Sequence, residues 1–153
     1  MIVGIDPSLT GTGVCILFNS RYFTYECDTI KPRKLRGNDR LRFIKKQLQE
    51  ILEHDKVEFA VIEGYSYGSF GRTFELGELG SVVKLLLDEL NIKYYIVPPT
   101  KWKKAIIGTG NANKHKVRWE MEKKGFIFDT QDECDAFCLA LYGRKYILEN
   151  INS

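Results

Sequence analysis

Met1-Ile2-Val3-Gly4-Ile5-Asp6-Pro7-Ser8-Leu9-Thr10-Gly11-Thr12-Gly13-Val14-Cys15-Ile16-Leu17-Phe18 opens the chain and decides how the rest is read. Residues 1–6 form an apolar run of strand length that ends on a carboxylate. Pro7–Gly13 is a turn, whose glycines allow tight backbone reversal. Val14–Phe18 is a second strand, Asn19-Ser20 a hairpin turn and Arg21–Cys27 a third strand, so the chain begins as an antiparallel meander. Asp6 then ends a buried strand. A charge there is costly unless something compensates it, and a divalent cation is the usual compensation.

Beyond the meander, residues 31–38 read as a basic loop. Asp39–His54 follows as an amphipathic helix with Leu41, Ile44, Leu48, Ile51 and Leu52 on one face. Phe59–Glu63 is the next strand. A crossover through a helix makes it parallel to the first, so Asp6 and Glu63 emerge at the same edge of the sheet. Gly64–Arg72 is an aromatic, glycine-rich loop beside those acids. A helix over Thr73–Leu90 carries Gly77 and Gly80, which suit close packing against the sheet or against a second subunit. Ile92–Val97 is a fifth strand, stopped by Pro98-Pro99. A short helix containing Trp102, a Gly108-Thr109-Gly110-Asn111 turn, a basic helix over Asn113–Lys124 ended by Gly125, and a last helix from Gln131 to about Leu148 complete the chain. This order predicts an α/β fold in one domain over residues 1–153: a five-stranded mixed sheet, part antiparallel meander and part parallel, flanked by helices.

The final helix carries two more acids. Thr130-Gln131-Asp132-Glu133 fits a capping box, with Thr130 as cap and Glu133 returning the hydrogen bond. Asp132 and Asp135 share a face that continues through Leu139 and Tyr142, which predicts that they point toward the sheet edge. Acids at a helix start also answer the macrodipole, and Glu133 is explained that way. Several carboxylates converging at one sheet edge suit a pair of Mg²⁺ ions about 4 Å apart, the arrangement of two-metal phosphodiester hydrolysis.

Composition is that of an ordinary globule: 44% hydrophobic and 28% charged residues over 153, with a formal charge of +3. No apolar run approaches the roughly 20 residues of a membrane span. The strand begins at once, without a basic-then-apolar leader, which leads us to expect a cytoplasmic protein. Lysine and arginine gather at Lys31–Arg36, Lys101–Lys104 and Lys114–Arg118, and separated basic clusters around an acidic site suit a polyanion, although each is also an ordinary solvated face. Cys15, Cys27, Cys134 and Cys138 include no Cys-x-x-Cys pair, which argues against zinc and for reduced core thiols.

The strand-Asp-x-Ser start is shared with the phosphate-binding hairpin of actin-like kinases, but those need two lobes and this chain is too short. Taken together, Gly4-Ile5-Asp6-Pro7-Ser8 with Gly13, Val61-Ile62-Glu63, Glu75–Val82, Pro98–Lys104, Gly108–Lys114 and Asp132-Glu133-Cys134-Asp135-Ala136-Phe137 resemble the RuvC family of Holliday-junction resolvases over nearly the whole chain. The resemblance implies an RNase H-like fold and a Mg²⁺-dependent homodimer, with Mn²⁺ substituting, that nicks four-way DNA junctions symmetrically. It implies that Asp6, Glu63, Asp132 and Asp135 are the catalytic, metal-binding acids and that Lys103 and Lys114 are the active-site lysines. The brevity of the chain and its Glu63–Gly68 loop look like a phage-encoded member, acting in a bacterial or phage-infected cell.

DNA contacts are expected from Arg33, Lys34, Arg36, Lys101, Lys104, Lys116 and Arg118, and from Tyr65, Tyr67, Phe70, Arg72 and Phe74 in and beside the aromatic loop. Bacterial members place a stacking aromatic three residues after the catalytic glutamate. Here that position is Ser66, so Tyr67 is the expected substitute and branch shape is expected to outweigh sequence. Two readings compete with junction resolution. One is an RNase H-like nuclease on structured RNA or an RNA–DNA hybrid, and the other is a scaffold that binds junctions without chemistry.

Overall fold

In the computed structural model, which describes residues 1–19, 23–53, 56–64 and 73–149, strand β1 (Ile2–Asp6) lies at the centre of a sheet. It pairs antiparallel with β2 (Thr12–Leu17) and parallel with β4 (Phe59–Glu63). β2 continues antiparallel to β3 (Tyr25–Ile30), and β4 runs parallel to β5 (Lys93–Val97). The five-stranded order is β3-β2-β1-β4-β5, the mixed sheet expected from sequence. Ile2, Cys15, Leu17, Phe59 and Val61 belong to one apolar core; Val3, Ile5, Val14, Ile16, Ala60 and Ile62 belong to another. Both faces are therefore covered, which is why β1 and β4 read as unbroken apolar runs rather than as alternating strands. Helices α1 (Gly37–Glu53) and α2 (Thr73–Glu89) close one face, and α3 (Pro99–Ile107), α4 (Lys114–Lys123) and α5 (Gln131–Tyr142) close the other. No helix among the described residues is long and apolar enough to cross a membrane.

Two glycines set how closely α5 rides on the sheet. A Cβ on Gly4 would collide with the carbonyl of Ala136, and one on Gly13 with the carbonyl of Asp132. Both neighbours are helix backbone and cannot swing aside. The bare Gly4 and Gly13 thus let the start of α5, with its acids, sit against the end of β1. We expect Gly4→Ala to destabilise the protein by about 3 kcal/mol, the upper end of overpacking costs. Gly77→Ala, where an added Cβ meets nothing within 4 Å, should raise stability by up to about 1 kcal/mol through helix propensity. Urea unfolding of the two variants checks the contrast, and equal losses would show that α5 is not held at close approach.

Several expectations needed correction. The third strand is not Arg21–Cys27 but Tyr25–Ile30, because the register pairs Leu17 with Tyr25 and Thr12 with Ile30. That register also puts Cys15 opposite Cys27, and the two form a disulfide rather than reduced thiols. Cys134 and Cys138 are free and buried, as expected. The expected stripe of α1 packs on the core, Ile44, Leu48 and Leu52 buried and Leu41 and Ile51 partly so, but it also takes in a charged residue, Arg40. Arg40 is buried and faces the Glu75 carboxylate at 3.6 Å. Finally, the last helix is not α-helical to Leu148. It widens into a π-helical segment over Gly143–Leu148, where Gly143 abuts Ile2, Phe59 and Val61 and the Tyr146 hydroxyl donates to the Ala105 carbonyl at 3.1 Å.

Candidate active site

Asp6 and Glu63 are the last residues of adjacent parallel strands, each half-buried where its apolar run stops. The pairing of Ile5 with Ile62 makes them the next step of the same register. From the other side, α5 opens with Thr130 as its cap. The Thr130 hydroxyl accepts from the Glu133 amide at 3.1 Å, and the Glu133 carboxylate reaches back to the Asp129 amide at 2.9 Å. The reciprocal bond thus lands one residue before the cap, but it fixes the first turn as a capping box would. One turn in, Asp135 is 5% exposed and accepts from the Gln131 side chain at 3.0 Å.

The electrostatics show these acids to be one group. Burial raises Asp6 well above the usual carboxylate range, and Glu63, Asp135 and Asp132 push it further in the same direction. Glu63 is raised by burial and by Asp135, partly offset by a hydrogen bond from Trp102. Asp132 and Asp135 are both raised, first by burial. Lys114 acts against the rise at all four acids, and Lys103 at Glu63 and Asp135. Glu63, Asp132 and Asp135 thus all act on Asp6, and the two lysines that the sequence singled out act on these acids. Four carboxylates against two lysines leave a formal charge of −2, and burial, the largest cause of each rise, makes that charge costly to hold.

The turn between α3 and α4 delivers the lysines. Gly108, at φ 93°, ends α3 in the left-handed conformation. Asn113 then caps α4, its side chain accepting from the Lys116 amide at 2.9 Å, so Lys114 occupies the first helical position, where exposed N–H groups favour an anion. Sequence reasoning missed Trp102. Its ring is fully buried, and its Nε1 donates to Glu63 Oε2 at 2.7 Å. The apolar context of α3 gave a signal for burial, but nothing local pointed to an acid 39 positions away.

The basic residues are not equivalent. Lys31, Arg33 and Lys34 line an open groove of about 790 Å³ with Ile30, Leu35 and Phe43, and Lys31 is close enough to lower Asp132. Arg33 takes φ 51°, a conformation costly for a side chain of its kind. Arg36, Lys101, Lys104 and Lys116 are exposed. Arg118 is engaged internally, bonding Glu122 at 2.8 Å and the Phe128 carbonyl at 2.7 Å. Phe74 is 91% exposed at the start of α2. Tyr65, Tyr67, Phe70 and Arg72 lie outside the described residues. Among the described residues, no three of His, Cys, Asp or Glu converge closely enough to hold a metal ion as they stand.

Comparison with known proteins gives the context. A profile of the family described as crossover junction endodeoxyribonuclease RuvC matches residues 2–141. The RuvC of Chloroherpeton thalassium is 28% identical over 92% of this chain and 80% of its own length. That of Afipia carboxidovorans is 31% identical over 76% of this chain and 71% of its own. In three dimensions the chain superimposes on Thermus thermophilus RuvC, solved with a Holliday junction substrate, with a TM-score of 0.80 and 22% identity over 97% of this chain and 95% of that one. At that identity the overlay speaks for the fold alone, which is RNase H-like.

Proposed function

This chain belongs to the RuvC family of crossover junction endodeoxyribonucleases, and from that premise we propose that Asp6, Glu63, Asp132 and Asp135 hold paired Mg²⁺ ions for cutting four-way DNA junctions. The observation that carries the reading is the placement of the acids: Asp6 and Glu63 end adjacent parallel strands, the start of α5 packs against β1, and Glu63, Asp135 and Asp132 all act on Asp6. Hard carboxylate oxygens with net negative charge fit a divalent hard cation, and Mn²⁺ fits the same donors. Held by these four carboxylates, such ions would supply the activation of water and the charge stabilisation that phosphodiester hydrolysis to a 5′ phosphate and a 3′ hydroxyl needs.

The protein's own groups do the rest. Lys114, at a helix start, receives a phosphate oxygen, and Lys103 supports charge developing on the phosphate under attack. Lys31, Arg33 and Lys34 in the groove, with Arg36, Lys101, Lys104 and Lys116, hold the arms of the junction by phosphate contacts that weaken steeply with salt. Tyr65, Tyr67 and Phe70, Tyr67 foremost, stack on bases freed at the branch point. The work belongs in the cytoplasm, where the DNA is. Junction selectivity is tested by setting a synthetic four-way DNA junction against an RNA–DNA hybrid of equal length. Paired nicks in the junction are expected, whereas cutting of the hybrid with the junction intact would reject the reading.

A four-way junction has two-fold symmetry, which an isologous dimer matches. Phe74, Gly77, Ser81 and Leu85 fall three or four residues apart on α2, and Phe74 and Leu85 are 91% and 58% exposed. This stripe of small residues, bounded by the exposed Phe74 and Leu85, is the proposed seam. Leu85→Glu should shift the protein from dimer to monomer in sedimentation velocity and replace paired nicks by uncoordinated ones. A dimer that survives both this change and Phe74→Glu would place the seam elsewhere.

A further inference from the structure

We infer that Trp102 is a positioning residue for cation binding: its buried indole N–H holds Glu63 in the orientation from which that carboxylate ligates, and ties it to the helix that carries Lys103. The inference rests on the reading of Glu63 as a ligand, and the test below separates the two.

Trp102 has no exposed surface, and its ring packs in the core on the α5 side of the sheet. A buried indole N–H must find an acceptor, and here the acceptor is Glu63 Oε2 at 2.7 Å. A bond to an ionised oxygen is short and about twice as strong as a neutral one. It commits one oxygen of Glu63 to the protein and leaves Oε1 for a ligand. The carboxylate cannot rotate freely, because the ring that donates to it is locked by packing. Groups that orient a metal ligand in this way typically account for about 10- to 100-fold in metal affinity.

The same residue fixes the lysine. Trp102 sits in the first turn of α3, its backbone N–H bonded to the Pro98 carbonyl at 3.3 Å, immediately after β5 ends. Lys103 follows it in the chain, with its ammonium 5.5 Å from the Trp102 ring centroid. One side chain therefore sets both the direction of a ligand and the place from which the neighbouring positive charge acts. A residue that only filled the core would need neither the N–H nor the acid.

The chain holds two tryptophans, and the other, Trp119, is 55% exposed on α4. In Trp119→Phe the emission belongs to Trp102 alone, with the native Trp102–Glu63 bond untouched. Titration of this DNA-free protein with Mg²⁺ should give a saturable change in that emission, and Glu63→Gln in the same background should remove it. Trp102→Phe, which keeps an aromatic ring and deletes the donor, should weaken Mn²⁺ binding about 10- to 100-fold, measured by electron paramagnetic resonance of free Mn²⁺. Its junction cutting should recover as Mg²⁺ is raised. Unchanged Trp102 emission on saturation with Mg²⁺, or Mn²⁺ affinity unaltered in folded Trp102→Phe, overturns the inference. Should Glu63→Gln also bind Mn²⁺ like the parent, Glu63 is not a ligand and the underlying reading falls with it; should only Glu63→Gln lose the metal, the loss is confined to the role of Trp102.

Discussion

Asp6→Asn should lower junction cutting by about three orders of magnitude or more, while the metal-free protein melts higher and binds a junction as tightly as the parent or more so. Activity falls because the shared central acid is lost, and removing even one electrostatic stabiliser costs about 10²- to 10³-fold. The stability effect has the opposite sign. Asp6 is raised well above the usual carboxylate range by burial and by three neighbouring acids. Between its unfolded and folded pKa values, the native state binds more protons than the unfolded state, so stability falls as pH rises through that window. Asparagine removes Asp6's share of the repulsion and of the pH dependence, leaving that of the other three acids. Thermal melts in EDTA across pH 5 to 8 should show Asp6→Asn gaining about 2–4 °C at neutral pH, the effect of about 1 kcal/mol in a chain of this size. The gain should shrink as the solution is made more acidic. A variant that melts lower and loses DNA binding together with cutting would show that Asp6 is structural.

Lys114→Met should reduce cutting by about 10²- to 10³-fold with a stability change in the other direction. Among the described residues, Lys114 is the one cation that favours the ionised form of all four acids. Without it the same charges repel with less compensation, so the metal-free protein should melt lower at neutral pH and recover when the solution is acidified. Mg²⁺ behaves differently in the two variants. In Lys114→Met added Mg²⁺ should restore thermal stability, because the cations replace the missing charge, whereas in Asp6→Asn it should have little left to stabilise. Melting curves with and without Mg²⁺ separate the two. If Lys114→Met raised the melting temperature in EDTA, Lys114 would not be the counter-charge of the site.

How far the sequence carried depends on the kind of signal each residue gives. β1 and β4 were legible because a sheet covered on both faces demands unbroken apolar runs, and the acids were legible because they interrupt those runs. Asp135 was legible because helical spacing carries it onto the stripe of Leu139 and Tyr142. Tyr25–Ile30 was misplaced because an edge strand is half exposed and its register follows from a turn whose length composition does not set. That slip hid the pairing of Cys15 with Cys27, since facing partners follow from register alone. Arg40 and Trp102 were missed for a different reason: the sequence announces burial of a side chain, but not which distant carboxylate meets its polar end. The switch to π-helix at Gly143 likewise follows from tertiary crowding against Ile2, Phe59 and Val61.

The central claim is that Asp6, Glu63, Asp132 and Asp135 form a single anionic pocket for two hard cations. Crystals soaked in Mn²⁺ and measured at the manganese absorption edge test it most directly. Two anomalous peaks about 4 Å apart, ligated by these four carboxylates with Glu63 still held by Trp102, are the expected result. Manganese bound elsewhere, or a saturating soak that leaves the four acids without metal, would contradict it.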